Sequence, residues 1–420
     1  MEKLKIYGAG QEVGRSCFLL QTDKKIVLDC GLKIHNKKDP HLYPLYQNEK
    51  VDLAVISHAH LDHIGYLPAL FENNNIPTIA TAPTKDIGEL LLLDSAKIIL
   101  SEYRSLPYKR QSHIKAMKSF LITNYFQKRR IGQNTITLFD AGHISGSATV
   151  LVEYKSKRIL YSGDFKLSHT YLHSPAHIEK DIDILIIEST YANREHPIRE
   201  DLEIQLVQKA REVVENGGHL LLPAFAVGRT QELLAIFKNR AKDIPLWIDG
   251  MGIEATKIIL KYPQFIKDPK TFRKYVEQCN FVLDSKDRKK VLKQPGVIIS
   301  TAGMLQGGPA LKYLSTINEK SEVVFSGYCV EDTNGYKLQN FGYVEVDGEK
   351  YYPKIPVSYF DFSAHASRSE LFEFVKQTNP SKIICIHGDQ KVAIDFAEEL
   401  KIMGYDAIAP KTGEEVILTI

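Results

Sequence analysis

The sequence predicts an α/β fold, and three observations support this fold class. Apolar runs rich in β-branched residues recur along the chain and end in polar residues: "KIVLDCG", "VDLAVISHAH", "RILYSGD", "DILIIEST", "HLLLPAF", "GVIISTAGM" and "KIICIHGD". Such runs are typical of strands buried on both faces, with their polar ends at a common edge of the sheet. Helical stretches lie between several of them, and "RTQELLAIFKNRA" follows "HLLLPAF" as the crossover helix of a βαβ unit does.

Start and stop signals mark two of the predicted helices. "DLEIQLVQKAREVVEN" runs into two glycines, which favour the end of a helix. In "SRSELFEFVKQT", Ser367 can cap a helix, and Glu370 three residues later completes a capping box. These signals predict helices that alternate with the strands.

The length of 420 residues exceeds the size at which one hydrophobic core usually keeps growing, so two domains are expected. No Pro/Gly/Ser-rich linker interrupts the chain, which favours a domain inserted into another without a tether. No window has the roughly 18 apolar residues of a membrane span, and the N-terminus lacks a signal peptide core. A cytoplasmic protein without a membrane partner is predicted.

Charge and cysteine content restrict the classes of function. The formal net charge of +3 is too small to indicate nucleic acid by itself, and basic stretches such as "SKDRKKVLK" are either solvated helix faces or phosphate-binding surfaces. The five cysteines are scattered and form no C-x-x-C pair. Their pattern argues against both a disulfide framework and a thiolate zinc site.

The segment "HAHLDH", residues 58 to 63, concentrates titratable groups directly after an apolar strand. Six consecutive residues of a flat strand would alternate sides, so these side chains converge only if the segment is a loop. Imidazole nitrogens together with a carboxylate suit a hard or borderline divalent cation. The segment therefore predicts a metal site that uses His58, His60, Asp62 and His63.

Further metal ligands are expected at other strand ends. His143, Asp164 and His387 each follow a predicted strand, and Asp29 lies at the end of another, where it could orient a ligating histidine. Taken singly, each is as well explained by a turn or a hydrogen-bonded structural residue. Together they complete a site, which the structural explanation does not account for.

These motifs resemble a known family. Asp29, "HAHLDH", His143 and Asp164 appear in the order of the first four signature motifs of the metallo-β-lactamase fold. "IIESTY", "FSAHAS" and "ICIHGD" resemble the three extra motifs of the β-CASP branch, which acts on nucleic acids. "GAGQEVGRSCFLL", "PAFAVGRTQELL", "DGMGIEATKI" and "GMLQGGPALKYL" are similar to the subgroup with the endonuclease subunit of the cleavage and polyadenylation specificity factor and its archaeal relatives.

The resemblance implies a metallo-β-lactamase αββα sandwich with an inserted α/β β-CASP domain. The first part of the sandwich would cover residues 1–191, the insertion 192–360 and the second part of the sandwich 361–420. The chain begins directly with the catalytic fold, so the KH domains of one archaeal group are not expected. RNA affinity would then rest mainly on the phosphate backbone.

The resemblance also implies two Zn²⁺ ions per chain. One ion would be held by His58, His60, His143 and Asp164, and the other by Asp62, His63, His387 and the shared Asp164. Glu188 and His365 would form an acid pair beside the metals. The catalytic residues would thus be Asp62, Glu188 and His365.

The function implied is hydrolysis of phosphodiester bonds in single-stranded RNA, mainly at internal positions. Two ions would acidify a shared water and offset phosphoryl charge, and His365 would protonate the leaving group. A predominantly 5′-to-3′ exoribonuclease is the nearest alternative, and a non-catalytic RNA-processing scaffold is a remoter one. A small-molecule metallo-hydrolase is disfavoured because that class lacks the insertion and the Glu188 and His365 pair. DNA stays open as a substrate.

Two other features of the sequence are weaker indications, one of phosphate binding and one of a homodimer. Gly307 and Gly308, together with Arg229, lie at predicted helix starts and are candidate phosphate contacts. Archaeal relatives suggest a homodimer, for which the C-terminal "VILTI" would be an interface, although a strand that completes its own sheet explains this segment equally well.

Overall fold

The computed structural model describes residues 2–33, 41–47, 49–103 and 105–418. Its strands are β1 (Lys3–Gly8), β2 (Cys17–Gln21), β3 (Lys25–Cys30), β4 (Leu53–Val55), β5 (Thr78–Ala80), β6 (Phe120–Ile122), β7 (Arg129–Ile131), β8 (Asn134–Asp140), β9 (Ala148–Tyr154), β10 (Lys157–Tyr161), β11 (Ile184–Glu188), β12 (His219–Pro223), β13 (Leu246–Asp249), β14 (Asn280–Val282), β15 (Gly296–Ser300), β16 (Glu322–Phe325), β17 (Val344–Val346), β18 (Glu349–Tyr351), β19 (Val357–Tyr359), β20 (Lys382–Ile386), β21 (Asp406–Ile408) and β22 (Glu415–Ile417). Its α-helices are α1 (Leu61–Ile64), α2 (Leu67–Leu70), α3 (Ala82–Tyr103), α4 (Arg110–Lys118), α5 (Arg199–Glu215), α6 (Arg229–Arg240), α7 (Gly252–Ile259), α8 (Pro269–Glu277), α9 (Ser285–Val291), α10 (Gly308–Leu314), α11 (Asn334–Phe341), α12 (Arg368–Thr378) and α13 (Gln390–Ile402).

Two mixed sheets pack face to face. Their strand orders are β22-β1-β2-β3-β4-β5-β6 and β21-β20-β11-β10-β9-β8-β7. Alternate residues of both sheets meet in one apolar core, for example Leu28 and Val55 of the first sheet with Val150 and Ile186 of the second. The alternation follows from the two-residue period of a strand, which turns every second side chain into the space between the sheets.

Helices cover the outer face of each sheet. The other residues of β3 and β4, such as Val27 and Ala54, pack against α1 to α4. On the second sheet, Leu185 and Ile383 pack against α12 and α13. Ser367 caps α12 through the capping box with Glu370 that the sequence predicts. The resulting four layers confirm the predicted αββα sandwich.

A third sheet is parallel throughout and lies between β11 and α12 in the chain. Its strand order is β14-β13-β15-β12-β16-β19. Apolar clusters on its two faces include residues of α5 to α8 on one side and of α10 and α11 on the other. The sheet accounts for the predicted insertion, and the domain boundaries at 191/192 and 360/361 stay a prediction.

The inserted part shares a hydrophobic core with the sandwich. Ile87 of α3, Ile144 and Leu172 belong to the same buried cluster as Leu233 and Ile253 of the insertion. The apolar contact holds the insertion against the edge of the sandwich at which His143 lies.

The C-terminal strand β22 pairs antiparallel with β1 and forms an edge of the first sheet. Residues 416 and 417 of "VILTI" therefore complete the chain's own sheet, whereas residues 419 and 420 lie outside the described residues. None of the helices in the described part of the chain has the length and apolarity needed to cross a bilayer.

A buried carboxylate reinforces the contact between insertion and sandwich. Glu232 of α6 accepts hydrogen bonds from the backbone amides of Tyr171 (3.2 Å) and Leu172 (2.8 Å) of the sandwich. It also pairs with Arg199 of α5 at 2.6 Å. Only 7% of Glu232 is exposed.

Replacing Glu232 with alanine should lower the free energy of unfolding by about 3 kcal/mol, because two amides and one guanidinium lose a buried partner. Urea denaturation monitored by circular dichroism measures this change. Glu212→Ala, on the solvent face of α5, is the control and should change stability by less than about 0.5 kcal/mol. A loss below about 1 kcal/mol for Glu232→Ala would contradict this account.

Candidate metal centre

The predicted ligands lie just after the carboxyl ends of strands from both sheets of the sandwich. His58 and His60 follow β4 of the first sheet. In the second sheet His143 follows β8, Asp164 follows β10 and His387 follows β20. These three strands run in the same direction, so their ends meet at one edge of the sandwich. The topology therefore brings together residues that are far apart in sequence.

A first group of donor atoms belongs to His58, His60, His143 and Asp164. The Nδ1 atom of His60 lies 3.2 Å from Nε2 of His58 and 3.1 Å from Nε2 of His143. The Oδ2 atom of Asp164 lies 3.5 Å from Nε2 of His58. Three imidazole nitrogens and one carboxylate oxygen thus surround a common point.

A second group consists of Asp62, His63, His387 and the same Asp164. Oδ2 of Asp164 lies 3.3 Å from Nε2 of His63, and Oδ1 lies 3.4 Å from Nδ1 of His387. Oδ2 of Asp62 lies 3.3 Å from Nε2 of His387. Asp164 is therefore common to both groups, with contacts from each of its oxygens.

Asp29 lies beneath the second group and is completely buried. Its Oδ2 accepts hydrogen bonds from the Tyr161 hydroxyl (2.6 Å) and the Ser57 hydroxyl (2.6 Å), and it lies 2.7 Å from Nδ1 of His63. A proton on Nδ1 leaves the lone pair of His63 on Nε2, which faces Asp164. Asp29 thus has the position expected of a residue that orients a ligand.

Only the first part of the "HAHLDH" segment is a loop, and the rest is helical. His58 and His60 lie in the loop that the sequence predicts, but Asp62 and His63 lie in the short helix α1. A helical turn rotates successive side chains by about 100°, which allows these adjacent residues to meet different neighbours. Gly31 permits the close packing beneath, since a Cβ there would lie 1.8 Å from the carbonyl oxygen of Asp62.

Burial keeps the first group of histidines neutral. Burial and the neighbouring His63 hold the pKa of His58 well below its usual range, and burial lowers the pKa of His60 to about 4. The pKa of His143 is also well below its usual range, because of burial and of the nearby His365. A neutral imidazole is the form that binds metal ions.

In the second group, carboxylates and histidines stabilise each other's charged forms. Burial alone would raise the pKa of Asp164, but His63 and His387 outweigh it and hold that pKa well below its usual range. Burial likewise opposes protonation of His63, yet Asp164 and Asp62 raise its pKa well above the usual value. The site therefore holds ionised carboxylates inside the protein, a state that needs nearby positive charge.

The donor atoms fit a divalent ion. Nε2 of His63 and Oδ1 of Asp164 are buried and have no hydrogen-bond partner among the described residues. Bonds of about 2.0–2.1 Å to a tetrahedral zinc ion would place its ligands about 3.3 Å apart, which agrees with spacings of 3.1 Å to 3.5 Å here. A metal ion would satisfy both orphaned atoms.

His365 and Glu188 form a third group with Asp164. Nδ1 of His365 lies 3.0 Å from Oε2 of Glu188 and 3.8 Å from Oδ2 of Asp164. Burial would lower the pKa of His365, but Glu188 and Asp164 together raise it to about 9. The amide of Phe165 and the hydroxyl of Thr190 donate hydrogen bonds to Glu188 and fix its carboxylate.

Three known domain families match the chain. Residues 24–224 match the Beta-lactamase superfamily domain, residues 230–338 the Beta-Casp domain, and residues 354–410 the Zn-dependent metallo-hydrolase RNA specificity domain. The "Probable RNase MJ4" of Methanocaldococcus jannaschii is 39% identical over 97% of this chain and 98% of that protein. The chain belongs to the β-CASP family of metal-dependent ribonucleases.

Other comparisons agree with this family. The chain is 36% identical to "RNase aCSPSF2" of Saccharolobus solfataricus, over 99% of this chain and 85% of that protein. It is 32% identical to the "Transcription termination factor FttA" of M. jannaschii, over 95% of this chain and 69% of that protein. A crystal structure of a protein of unknown function from Enterococcus faecalis V583 shares the fold, with a TM-score of 0.64, 16% identity and 99% coverage of both chains.

The residues predicted with less support to contact phosphates lie at the starts of two helices, α6 and α10. Arg229 begins α6, and its Nε atom is buried without a hydrogen-bond partner among the described residues. Gly307 caps the short helix α10, and Gly308 is the first residue of that helix. A Cβ on Gly308 would lie 2.8 Å from the carbonyl oxygen of Thr301, so close packing also explains a glycine there.

Sequence reasoning missed several polar residues beside the β-CASP motifs. Lys166 is buried and donates to the carbonyl oxygen of His365. Arg194 pairs with Asp361 at 3.0 Å, and the guanidinium of Arg194 lies 4.4 Å from the centre of the Tyr191 ring. Their positions in the sequence could have indicated them. Lys166 lies just after Asp164, Arg194 lies just after Glu188, and Asp361 lies just after the edge strand β19.

Asp29→Asn should lower the affinity for zinc about 10- to 100-fold, because His63 loses the charged acceptor that orients its ring. Competition with a chromogenic chelator measures this affinity. Asp181→Asn is the matched control: Asp181 has a similar φ (+55° against +56°), but its side chain is exposed. Wild-type zinc affinity in Asp29→Asn would contradict the role assigned to Asp29.

Proposed function

We propose that this protein is a zinc-dependent ribonuclease that cleaves single-stranded RNA, mainly at internal positions. It would hold two Zn²⁺ ions per chain, one at His58, His60, His143 and Asp164, and one at Asp62, His63, His387 and Asp164. His365 would act as the general acid and Glu188 as its partner. A homodimer, a cytoplasmic location and activity on DNA stay predictions of the sequence.

The observation that carries this proposal is the contact of one acid pair with both donor groups. The Glu188 carboxylate is completely buried, so its charge requires the paired His365. The same His365 approaches Asp164, which belongs to both donor groups. A proton donor held this close to a metal-binding carboxylate suits cleavage of a bond whose leaving group needs a proton.

Metal ions bound at the donor groups would lower the pKa of water and offset the negative charge that develops on a phosphoryl group. The chain itself supplies orientation. Glu188 holds Nδ1 of His365, which leaves Nε2 to donate a proton to the departing sugar oxygen. Lys166 fixes the backbone of His365 from below, and its ammonium adds positive charge near the substrate phosphate.

The insertion supports a polymeric substrate. Tyr191 lies beside His365, with 5.9 Å between the ring centres, and 56% of Tyr328 on the loop after β16 is exposed. The exposed ring of Tyr328 offers a stacking surface for a base of single-stranded RNA. The names of the matched relatives as RNases support the same substrate class.

The test uses single-stranded RNA with a 3′ label and either a 5′-triphosphate or a 5′-monophosphate. The wild type should produce discrete internal fragments from both. His365→Ala should cut at least about 100-fold more slowly, because proton transfer to the leaving group contributes a factor of 10² to 10⁴. His169→Ala, at an exposed histidine outside the donor groups, is the control and should cut like the wild type.

Other outcomes would replace parts of the proposal. Stepwise shortening that requires a 5′-monophosphate would favour the 5′-to-3′ exoribonuclease. No cleavage by zinc-loaded wild type would favour the non-catalytic scaffold. Undiminished cleavage by His365→Ala, with circular dichroism and zinc content equal to those of the wild type, would remove His365 from the role of general acid.

A further inference from the structure

Beyond the metal centre, Arg229 is a partly buried cation without a protein partner. No ion pair or hydrogen bond to its guanidinium occurs among the residues that the structure describes, and its Nε atom is buried. Burial and the nearby Arg199 lower its pKa to about 10, which leaves it charged at neutral pH. An unpaired buried charge is unfavourable, so an anion from outside the chain would stabilise it.

The two carboxylates that act on the charge of Arg229, Glu232 and Asp361, are already paired with other cations. Oδ2 of Asp361 pairs with Nη2 of Arg194 at 3.0 Å and lies 3.5 Å from Nδ1 of His196. Arg199 is similarly paired with Glu203 and Glu232. The carboxylates around Arg229 are therefore engaged by other cations, and none of them forms an ion pair with its guanidinium among the described residues.

Sheet topology places this charge at an edge suited to a ligand. Strands β12, β16 and β19 are parallel neighbours, and the segments after their carboxyl ends carry Arg229, Gly327 and Asp361. Ligands of open parallel sheets bind at this end of the strands. A Cβ on Gly327 would have one described atom within 4 Å, Nη2 of Arg229 at 3.8 Å, so the guanidinium borders open space.

The same place adjoins the acid pair. The guanidinium of Arg194 stacks on Tyr191, whose ring centre lies 5.9 Å from that of His365. Tyr191 and Asp361 are both close enough to act on the charge of Arg229. The open space beside Arg229 is therefore on the side of the centre from which His365 would protonate the leaving group.

We propose that Arg229, with Arg194 and the open backbone at Gly327, binds the RNA phosphate next to the scissile one. The neighbouring phosphate would fix the strand so that the scissile phosphate lies at the donor groups, which sets the position of cleavage. This inference rests on the proposed ribonuclease function and adds a second phosphate subsite to it. A guanidinium fork suits a phosphate because it donates two parallel hydrogen bonds.

Arg229→Met tests the subsite, because methionine keeps much of the side-chain length without the charge and strands no paired carboxylate. RNA is compared with bis(p-nitrophenyl) phosphate, a phosphodiester that has no neighbouring phosphate. The ratio of kcat/KM for RNA to kcat/KM for bis(p-nitrophenyl) phosphate should fall about 10- to 100-fold in the variant. Arg211→Met, at an exposed arginine that pairs with Asp243, is the control and should keep the wild-type ratio.

A second measurement locates the phosphate. One uncharged methylphosphonate linkage is placed at successive positions along the RNA. The wild type should lose about 10- to 100-fold in kcat/KM at one linkage next to the cleaved bond, and Arg229→Met should show no further loss there. Persistence of the full methylphosphonate penalty in the variant would overturn the inference.

The two proposals fail in different ways. If the wild type hydrolyses bis(p-nitrophenyl) phosphate but not RNA, the ribonuclease proposal fails and the subsite fails with it. If the wild type cleaves RNA and Arg229→Met keeps the wild-type ratio of the two substrates, only the subsite fails. An equal fall on both substrates also overturns the subsite, because Arg229 would then support the metal centre or the fold.

Discussion

The buried carboxylate of Asp164 is the group on which the arrangement of the site depends. Only 2% of this residue is exposed, and its two oxygens face donor atoms from both groups of ligands. An ionised carboxylate inside a protein is stable only beside positive charge or hydrogen-bond donors. The neutral histidines of the first group supply little of either, so the position of Asp164 between the two donor groups supports cations bound there.

The fold meets this requirement by aligning strand ends. The β8, β10 and β20 strands run in one direction, and β4 brings the "HAHLDH" segment from the opposing sheet. A two-sheet core fixes these ends, because a register slip of one residue would turn apolar side chains out of the core. The geometry of the donor atoms is thus a consequence of sandwich packing.

The inserted domain also aligns strand ends, on the side that would receive the substrate. Its parallel sheet presents the carboxyl ends of β12, β16 and β19 toward the acid pair, and the carboxylate of Glu232 and a shared apolar core hold it against the sandwich. The residues that would hold metal thus lie on the sandwich, and those suited to RNA phosphates lie largely on the insertion. Such a division would let a chain with little net charge bind phosphates locally.

Much of this could be predicted from the sequence, since the informative residues are contiguous or tied to strand ends. The donor cluster around "HAHLDH", the strand-end positions of His143, Asp164 and His387, and the capping box of α12 all depend on local patterns. The helical turn at Asp62 and His63 was missed because four residues carry too little periodicity to indicate a helix. The pairing of Arg194 with Asp361 was also missed, because it depends on how the insertion folds back onto the sandwich.

Zinc-edge anomalous diffraction from crystals grown with zinc tests most directly whether two metal ions share Asp164. Two anomalous peaks per chain are expected, one next to His58, His60 and His143 and the other next to Asp62, His63 and His387, with the Asp164 carboxylate in contact with both. A single peak, or peaks that do not contact Asp164, would contradict this expectation.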